Sequence, residues 1–213
     1  MTREHTALTA AMEKRILLWM ARRIPPFINA DHLTALAFVS QLLAGLAYAH
    51  AALWAVNICL VLNWFGDSVD GTLARVRNQQ RPRYGFYVDH MADTIGALAL
   101  MSGLACSGYL HWPVAAGLLI GFYVLSIESY LAAYTLGRFH ISHGLFGPTE
   151  IRILLIAANI WITWHPYVEI GNRRFLLLDV GGTIAVAGMA IIAVGPILRH
   201  TRTLYREERI LFP

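Results

Sequence analysis

Long apolar stretches separated by short polar connections run through most of this chain. Each stretch is about 18–20 residues long, which is enough to cross roughly 30 Å of hydrocarbon as an α-helix. The pattern predicts six membrane-spanning helices, at about residues 32–50, 52–75, 85–110, 113–137, 149–164 and 176–199. The predicted fold class is therefore an all-α integral membrane protein.

A charged arm precedes the first span and has a different pattern. Basic residues surround a short apolar run that contains Trp19, and Pro25-Pro26 ends the segment. These basic residues are Lys14, Arg15, Arg22 and Arg23. Cations around an apolar run with a tryptophan are typical of a helix that lies along the membrane surface. We expect an N-terminal interfacial amphipathic helix, the alternative being a loosely ordered basic tail.

The composition favours a single membrane domain. The chain is 57% hydrophobic and only 14% charged, which is too apolar for an ordinary soluble domain. We expect one domain over residues 1–213, with an interfacial arm at 1–30, a six-helix core at 31–200 and a tail at 201–213. The sixth span is rich in glycine, which suits close helix packing or fills a lipid-facing surface.

Basic residues are concentrated on one predicted face of the membrane. Of the 17 Lys and Arg residues, all but Arg173 and Arg174 fall in the N-terminal arm, in or near the second and fourth connections, or in the C-terminal tail. Six spans put all of these segments on one side, which the positive-inside rule identifies as cytosolic. We expect cytosolic termini in a bacterial inner membrane, and no nucleic-acid partner.

Four aspartates, Asp67, Asp70, Asp89 and Asp93, flank the connection between the second and third spans. On a helix, positions 67 and 70 share one face, as do positions 89 and 93. Two helices joined by a short connection pack side by side, so the two carboxylate faces are expected to meet. Carboxylates are costly at membrane depth and point to a functional site there.

Four carboxylates in a small volume repel one another unless cations hold them. Ligands that offer only oxygen suit hard cations such as Mg²⁺, Mn²⁺ or Ca²⁺. Two such ions about 3.5–4 Å apart form the usual clamp for displacement at phosphorus. Gly71 and Gly85 permit a close approach of a ligand to the backbone, and Arg75 is placed either to hold a phosphate or to lock an aspartate by charge-assisted hydrogen bonds. The alternative is a solvated network between the aspartates and the arginines of the connection.

These residues resemble the signature of the CDP-alcohol phosphotransferase family, the class I CDP-alcohol phosphatidyltransferases. That signature reads D-x-x-D-G-x-x-A-R, about eight residues, then G-x-x-x-D-x-x-x-D. The matching positions are Asp67, Asp70, Gly71, Ala74, Arg75, Gly85, Asp89 and Asp93. The intervening segment has nine residues here, a difference that we expect to alter the loop rather than the aspartate faces.

The resemblance implies transfer of a phosphate-bearing group from a CDP-linked alcohol to an acceptor hydroxyl, with release of CMP. It implies that the four aspartates hold two divalent cations, Mg²⁺ or Mn²⁺ with Ca²⁺ as an alternative occupant, and that Asp93 is the general base. It implies a nucleotide site made of Asp67, Asp70, Gly71, Ala74, Arg75, Gly85 and Thr34. Of the Pro-Asn-x-x-Thr element that the family tends to carry, only Thr34 remains here. The resemblance also implies a homodimer among membrane lipids.

Two branches of the family leave the substrates open. In the branch that we favour, CDP-diacylglycerol is the donor and a small polar alcohol, such as glycerol phosphate, inositol phosphate or serine, is the acceptor. A phosphorylated acceptor needs a cationic pocket. Arg138, Arg152 and Arg199, near the cytosolic ends of the last three spans, are the candidates. They are equally well explained as ordinary positive-inside residues.

In the other branch, a CDP-linked choline or ethanolamine head group is transferred to a lipid alcohol. The pair Asp89-His90 and the segment Glu128-Ser-Tyr130 resemble elements of that branch. There His90 would be the base, because imidazole titrates near neutral pH. A non-catalytic scaffold or transporter is the remaining alternative, although a transporter predicts polar residues deep in several spans.

Overall fold

The structure, a computed structural model, describes residues 8–136 and 147–208. Within these ranges the chain forms seven α-helices and one β-hairpin. The helices are α1 (Leu8–Arg23), α2 (Ala30–Ala49), α3 (Leu53–Val76), α4 (Pro82–Cys106), α5 (Trp112–Leu136), α6 (Pro148–Ile162) and α7 (Leu177–Glu207). Strands β1 (Tyr167–Ile170) and β2 (Arg173–Leu176) lie between α6 and α7. The prediction of a helical core is confirmed.

Helices α2 to α6 coincide with the first five predicted spans to within about four residues, and α7 covers the sixth and extends eight residues beyond it. Among the described helices, α2, α5 and α7 are long and apolar enough to cross a membrane. Helices α3 and α4 are long enough, with 24 and 25 residues, but the aspartates and other charged residues make them less apolar. Helix α6 has 15 residues and is therefore about 22 Å long at 1.5 Å per residue. By length and composition, three of the described helices are therefore candidate membrane spans.

Helix α1 packs across the aspartate end of α3. Its inward side chains, which are Leu17, Met20 and Ala21, pack against Leu33, Val69 and Leu73, and Ile24, directly after the helix, joins them. Its outward face exposes Trp19, and the Arg23 guanidinium lies 4.2 Å from the centroid of that ring. Apolar residues on one face and cations on the other make α1 amphipathic, as expected for the arm.

Helices α2, α3 and α4 approach each other backbone to backbone. A Cβ on Gly45 would overlap the Ala99 carbonyl of α4, and a Cβ on Gly103 would overlap the Gly45 carbonyl of α2. On α3, a Cβ on Gly66 would lie 2.5 Å from the Leu33 carbonyl oxygen. Small residues allow such close crossings between membrane helices. The crossing at Gly66 lies next to the segments that carry Thr34, Asp67 and Asp70, and the crossing at Gly45 and Gly103 joins α2 to α4 toward their C-terminal ends.

A buried polar chain ties α6 to α2 and α3. The Tyr48 hydroxyl donates to Asn159 Oδ1 at 2.8 Å, and Asn159 Nδ2 donates to Asn57 Oδ1 at 2.8 Å. All three residues are buried. Buried polar groups require partners, so this chain fixes the register of α6 against its neighbours. Arg152 lies two turns before Asn159 on the same face of α6.

Two features differ from the sequence-based expectation. The hairpin interrupts the predicted all-α fold, with Ile170 paired to Arg173 across the two-residue turn of Gly171 and Asn172. Gly171 has φ 63°, which glycine adopts readily and which suits a tight hairpin turn. In addition, α7 continues to Glu207, so most of the described part of the expected tail is helical.

Candidate functional site

All four aspartates line one small cavity between α2, α3 and α4. Asp67 and Asp70 come from the C-terminal part of α3, and Asp89 and Asp93 come from the first half of α4. Helix α2 supplies the remaining wall with Thr34, Ala37, Phe38 and Gln41. The two carboxylate faces therefore meet, at the end of the bundle where α1 packs.

The two aspartates of α3 have distinct partners. Arg152 reaches across from α6, and its Nη2 lies 2.9 Å from Asp67 Oδ2, with the two side chains only 12% and 24% exposed. Thr34 Oγ1 donates to Asp70 Oδ2 at 2.6 Å, and the Gly71 N–H donates to Asp70 Oδ1. A half-buried arginine thus balances part of the acidic charge, and Asp70 is oriented by two donors.

The donor set suits a hard divalent cation, because the acidic side chains of the cavity offer only oxygen. Across residues 8–136 and 147–208, however, no three His, Cys, Asp or Glu side chains are close enough together to hold one metal ion. Asp67 turns toward Arg152 and Asp70 toward Thr34, so the carboxylates are spread over the wall. The chemistry and location of these residues suit divalent cations, although their oxygens do not converge on one point in this structure.

Most of the predicted nucleotide-binding residues lie beside the cavity rather than in its wall. Gly71 follows Asp70 directly and Gly85 stands one turn before Asp89; both are exposed, with no atom within 4 Å of where a Cβ would stand. Arg75 donates from Nη2 to Thr72 Oγ1 at 3.1 Å, and Ala74 is half-buried. Open backbone next to a carboxylate cluster allows a bulky ligand to approach it closely.

Of the three arginines expected at an acceptor pocket, the structure brings Arg152 to the aspartates. Arg199 is exposed on α7 and does not line the cavity. Arg138 lies outside the described residues. The part of α7 next to Arg199 is held to α5 by the pair of His200 Nδ1 and Glu128 Oε1 at 2.5 Å.

His90 follows Asp89 directly, but its ring packs at the interface between α4 and α5. Its ring centroid lies 4.1 Å from that of Phe86 and 4.7 Å from that of Tyr130. Its Nδ1 lies 2.5 Å from the Phe86 carbonyl oxygen. Of the two residues considered for the base, Asp93 lines the cavity and His90 does not.

Sequence reasoning missed Asn63 and Gln41, two polar residues of the cavity wall. Asn63 Nδ2 donates to the Ala37 carbonyl oxygen at 2.9 Å and to Gln41 Oε1 at 3.4 Å. Both positions carried a signal, because Asn63 precedes Asp67 by one helical turn and Gln41 follows Thr34 by two. Polar residues inside apolar spans, in phase with a charged cluster, belong to the same site.

Known proteins are similar to this chain in sequence and in the arrangement of their helices. The family model described as CDP-alcohol phosphatidyltransferase matches residues 27–194. Archaetidylinositol phosphate synthase of Pyrococcus horikoshii is 27% identical over 162 residues, which cover 69% of this chain and 85% of that protein. A solved structure of phosphatidylinositol phosphate synthase from Mycobacterium tuberculosis, with CDP-DAG bound, has a TM-score of 0.56 at 18% identity and covers 92% of this chain and 93% of its own.

The match over most of the chain defines a class of membrane-embedded transferases of phospholipid biosynthesis. This chain belongs to the CDP-alcohol phosphatidyltransferase family and is an enzyme of that phosphotransferase class. The family predicted from the aspartate signature is confirmed.

Proposed function

We propose that this enzyme transfers the substituted phosphate of a CDP-linked lipid alcohol, CDP-diacylglycerol or a close analogue, to the hydroxyl of a phosphorylated acceptor and releases CMP. The observation that carries this proposal is the Arg152–Asp67 pair, which puts a half-buried cation in contact with the acidic cavity. Arginine binds phosphate through charge-assisted, bidentate hydrogen bonds. The name of the Pyrococcus relative, an archaetidylinositol phosphate synthase, supports a phosphorylated polyol as acceptor.

Two divalent cations, Mg²⁺ or Mn²⁺, are proposed as cofactors, held by Asp67, Asp70, Asp89 and Asp93. When bound, they would neutralise the donor pyrophosphate and the departing phosphate of CMP. Thr34 orients Asp70 by its hydrogen bond. The exposed backbone at Gly71 and Gly85, with Ala74 and Arg75 beside it, is proposed to receive the cytidine diphosphate.

Asp93 is the proposed general base. It would take the proton of the acceptor hydroxyl from a distance of about 2.6–3.2 Å, as general bases require. The hydroxyl oxygen then forms a bond to the phosphorus that carries the lipid alcohol, and the bond from that phosphorus to the bridging oxygen of the diphosphate breaks. CMP leaves with the bridging oxygen. Asp93 is preferred to His90 because its side chain lines the cavity.

The proposed topology has six spans, α2 to α7, in one domain, with α1 at the membrane surface. The cavity and both termini face the cytosol of a bacterial inner membrane, and the protein is a homodimer. The charge distribution supports this orientation, because the aspartate end carries the connection with Arg77, Arg81 and Arg83, whereas the hairpin end carries only Arg173 and Arg174.

The test of the proposed reaction is CMP release by purified enzyme from a panel of donors and acceptors. We expect release from CDP-diacylglycerol with inositol phosphate or glycerol phosphate. Chelation with EDTA should abolish release, and added Mg²⁺ or Mn²⁺ should restore it, because four carboxylates cannot bind a diphosphate without cations. Release only from CDP-choline or CDP-ethanolamine with diacylglycerol would instead place the enzyme in the family branch that transfers a CDP-linked head group to a lipid alcohol. No release from any donor would contradict a catalytic role.

Replacing Arg152 tests its place in the acceptor pocket. Arg152→Gln is expected to raise the KM for a phosphorylated acceptor by roughly 10–100-fold, since a hydrogen bond to a charged group contributes about 1.5–3 kcal/mol. Steady-state CMP release against acceptor concentration measures this change. Arg174→Gln is the matched control, because Arg174 pairs with Glu169 in the hairpin and is exposed. A fall in kcat with an unchanged acceptor KM would instead assign Arg152 to holding Asp67.

A further inference from the structure

Arg77 directly follows α3 and has no part in the family signature or in the proposed reaction. Its guanidinium donates to three backbone carbonyls in the turn between α1 and α2. Nη2 lies 3.0 Å from the carbonyl oxygens of Ile24 and of Pro25, and Nη1 donates to that of Ile28. Carbonyls at the end of a helix lack helical partners, and a cation there satisfies them. Arg77 thus clamps the end of α1 to the end of α3.

The same turn leads directly into the residues that orient Asp70. Asn29 caps α2 by accepting a hydrogen bond from the His32 N–H at 3.0 Å, which continues the turn into a regular helix. Two residues after His32, Thr34 donates to Asp70 at 2.6 Å. The segment between the clamp and the carboxylate is therefore short, and it is ordered by its own hydrogen bonds.

A second tie reinforces the first. Arg81, at the start of α4, pairs with Asp31 in the first turn of α2. The hydrogen bond with Asp31 raises the pKa of the Arg81 guanidinium. Both side chains are about half exposed, at 53% and 41%, so this pair contributes less than the Arg77 clamp.

We propose that Arg77 is a positioning residue: by clamping the turn between α1 and α2 onto α3, it holds Thr34 against Asp70 and so fixes the orientation of that carboxylate for cation binding. The proposal rests on the proposed function, in which Asp70 is a cation ligand. Outer partners of ligand side chains matter in this way because a pre-oriented carboxylate binds its ion more tightly. Their loss typically costs 10–100-fold in metal affinity.

The first test is the dependence of CMP release on Mn²⁺ concentration. Arg77→Gln is expected to raise the Mn²⁺ concentration for half-maximal rate by roughly 10-fold, with kcat at saturating Mn²⁺ nearly unchanged. Arg77→Lys keeps the charge but not the planar fork that reaches three carbonyls, so it should restore only part of the loss. Arg83→Gln is the matched control, since it removes one exposed cation from the adjoining first turn of α4 and should behave as wild type. If Arg83→Gln raised the Mn²⁺ concentration for half-maximal rate as much as Arg77→Gln does, the effect would come from the loss of positive charge alone, and the clamp would be overturned.

A double-mutant cycle separates this role from general stability. Thr34→Val should produce a similar Mn²⁺ shift, and the double variant Arg77→Gln/Thr34→Val should shift no further than the larger single change, because both act on Asp70 along one path. Fully additive shifts would contradict the proposal.

Hydrogen exchange gives a readout that needs no turnover. In detergent, amides of residues 24–34 should exchange faster in Arg77→Gln than in wild type or in Arg83→Gln, while exchange in α5 and α7 stays unchanged. Unchanged exchange over residues 24–34 would overturn the clamp even if the enzyme is active. If wild type released no CMP but Arg77→Gln still exchanged faster than wild type over residues 24–34, the proposed reaction would be contradicted and the clamp would stand. General acceleration in all helices would show a folding defect and reject a positioning role.

Discussion

Asp89→Asn is expected to abolish CMP release while the protein stays folded in detergent. Asp89 lines the acidic cavity from α4, across from the two aspartates of α3. The amide keeps the size of the side chain and removes its charge. Asp89 is a proposed ligand of the cations that stabilise the transition-state charge, and loss of such stabilisation lowers kcat by roughly 10²–10³-fold or more. Turnover at saturating donor, acceptor and Mg²⁺, with size-exclusion elution as the measure of folding, tests this expectation.

Asp179→Asn is the matched control for this variant. It makes the same chemical change at the opposite end of the bundle, where Asp179 accepts a hydrogen bond from the His111 N–H at 2.8 Å. We expect that variant to keep wild-type turnover, because no part of the cavity wall comes from that end. Near-wild-type turnover in Asp89→Asn would count against the whole assignment of the site.

The helix positions and the acidic faces were predictable from sequence because both follow from local periodicity. Apolar runs located α2 to α7, and the spacings of Asp67 with Asp70 and of Asp89 with Asp93 put each pair on one helix face. A short connection between α3 and α4 then leaves little choice about which faces meet. The same periodicity, applied to uncharged residues, would also have found Asn63 and Gln41.

Contacts between distant segments were not predictable in this way. Arg152 reaches Asp67 only because α6 packs on α3 in the register that Asn159 fixes, 102 residues from Asn57. The three carbonyls that bind Arg77 are backbone atoms, which leave no trace in the sequence. The hairpin did leave one, since Gly171-Asn172 is a typical two-residue turn, but hydropathy alone does not reveal it.

Glycines illustrate the same limit. The glycine content of the sixth span predicts close packing of α7, and Gly182 does pack closely against side chains of α5. Gly181, Gly188 and Gly195 have no atom of another segment within 4 Å of where a Cβ would stand, and the backbone-to-backbone crossings involve Gly45, Gly66 and Gly103 instead. Which glycine faces a neighbouring backbone depends on helix rotation in the bundle, and composition does not specify that rotation.

Gly103→Ala is expected to destabilise the bundle strongly. The added Cβ would overlap the Gly45 carbonyl group and lie 2.9 Å from the Gly45 Cα, so relief requires α4 to move away from α2 as a whole. Overpacking of a core typically costs 1–3 kcal/mol and occasionally more, and we expect at least about 3 kcal/mol here because the obstacle is backbone. The midpoint of thermal unfolding in detergent measures this loss.

Gly188→Ala is the control for that substitution, since it adds the same methyl group within α7 where no atom lies within 4 Å. Alanine favours a helix over glycine by about 1 kcal/mol, so this variant should be as stable as wild type or slightly more stable. If Gly103→Ala matched it, the backbone crossing of α2 and α4 would be wrong. The same two helices carry Thr34 and, opposite it in the cavity wall, Asp89 and Asp93. Any Gly103→Ala protein that still folds should therefore also lose CMP release, whereas Gly188→Ala should keep it.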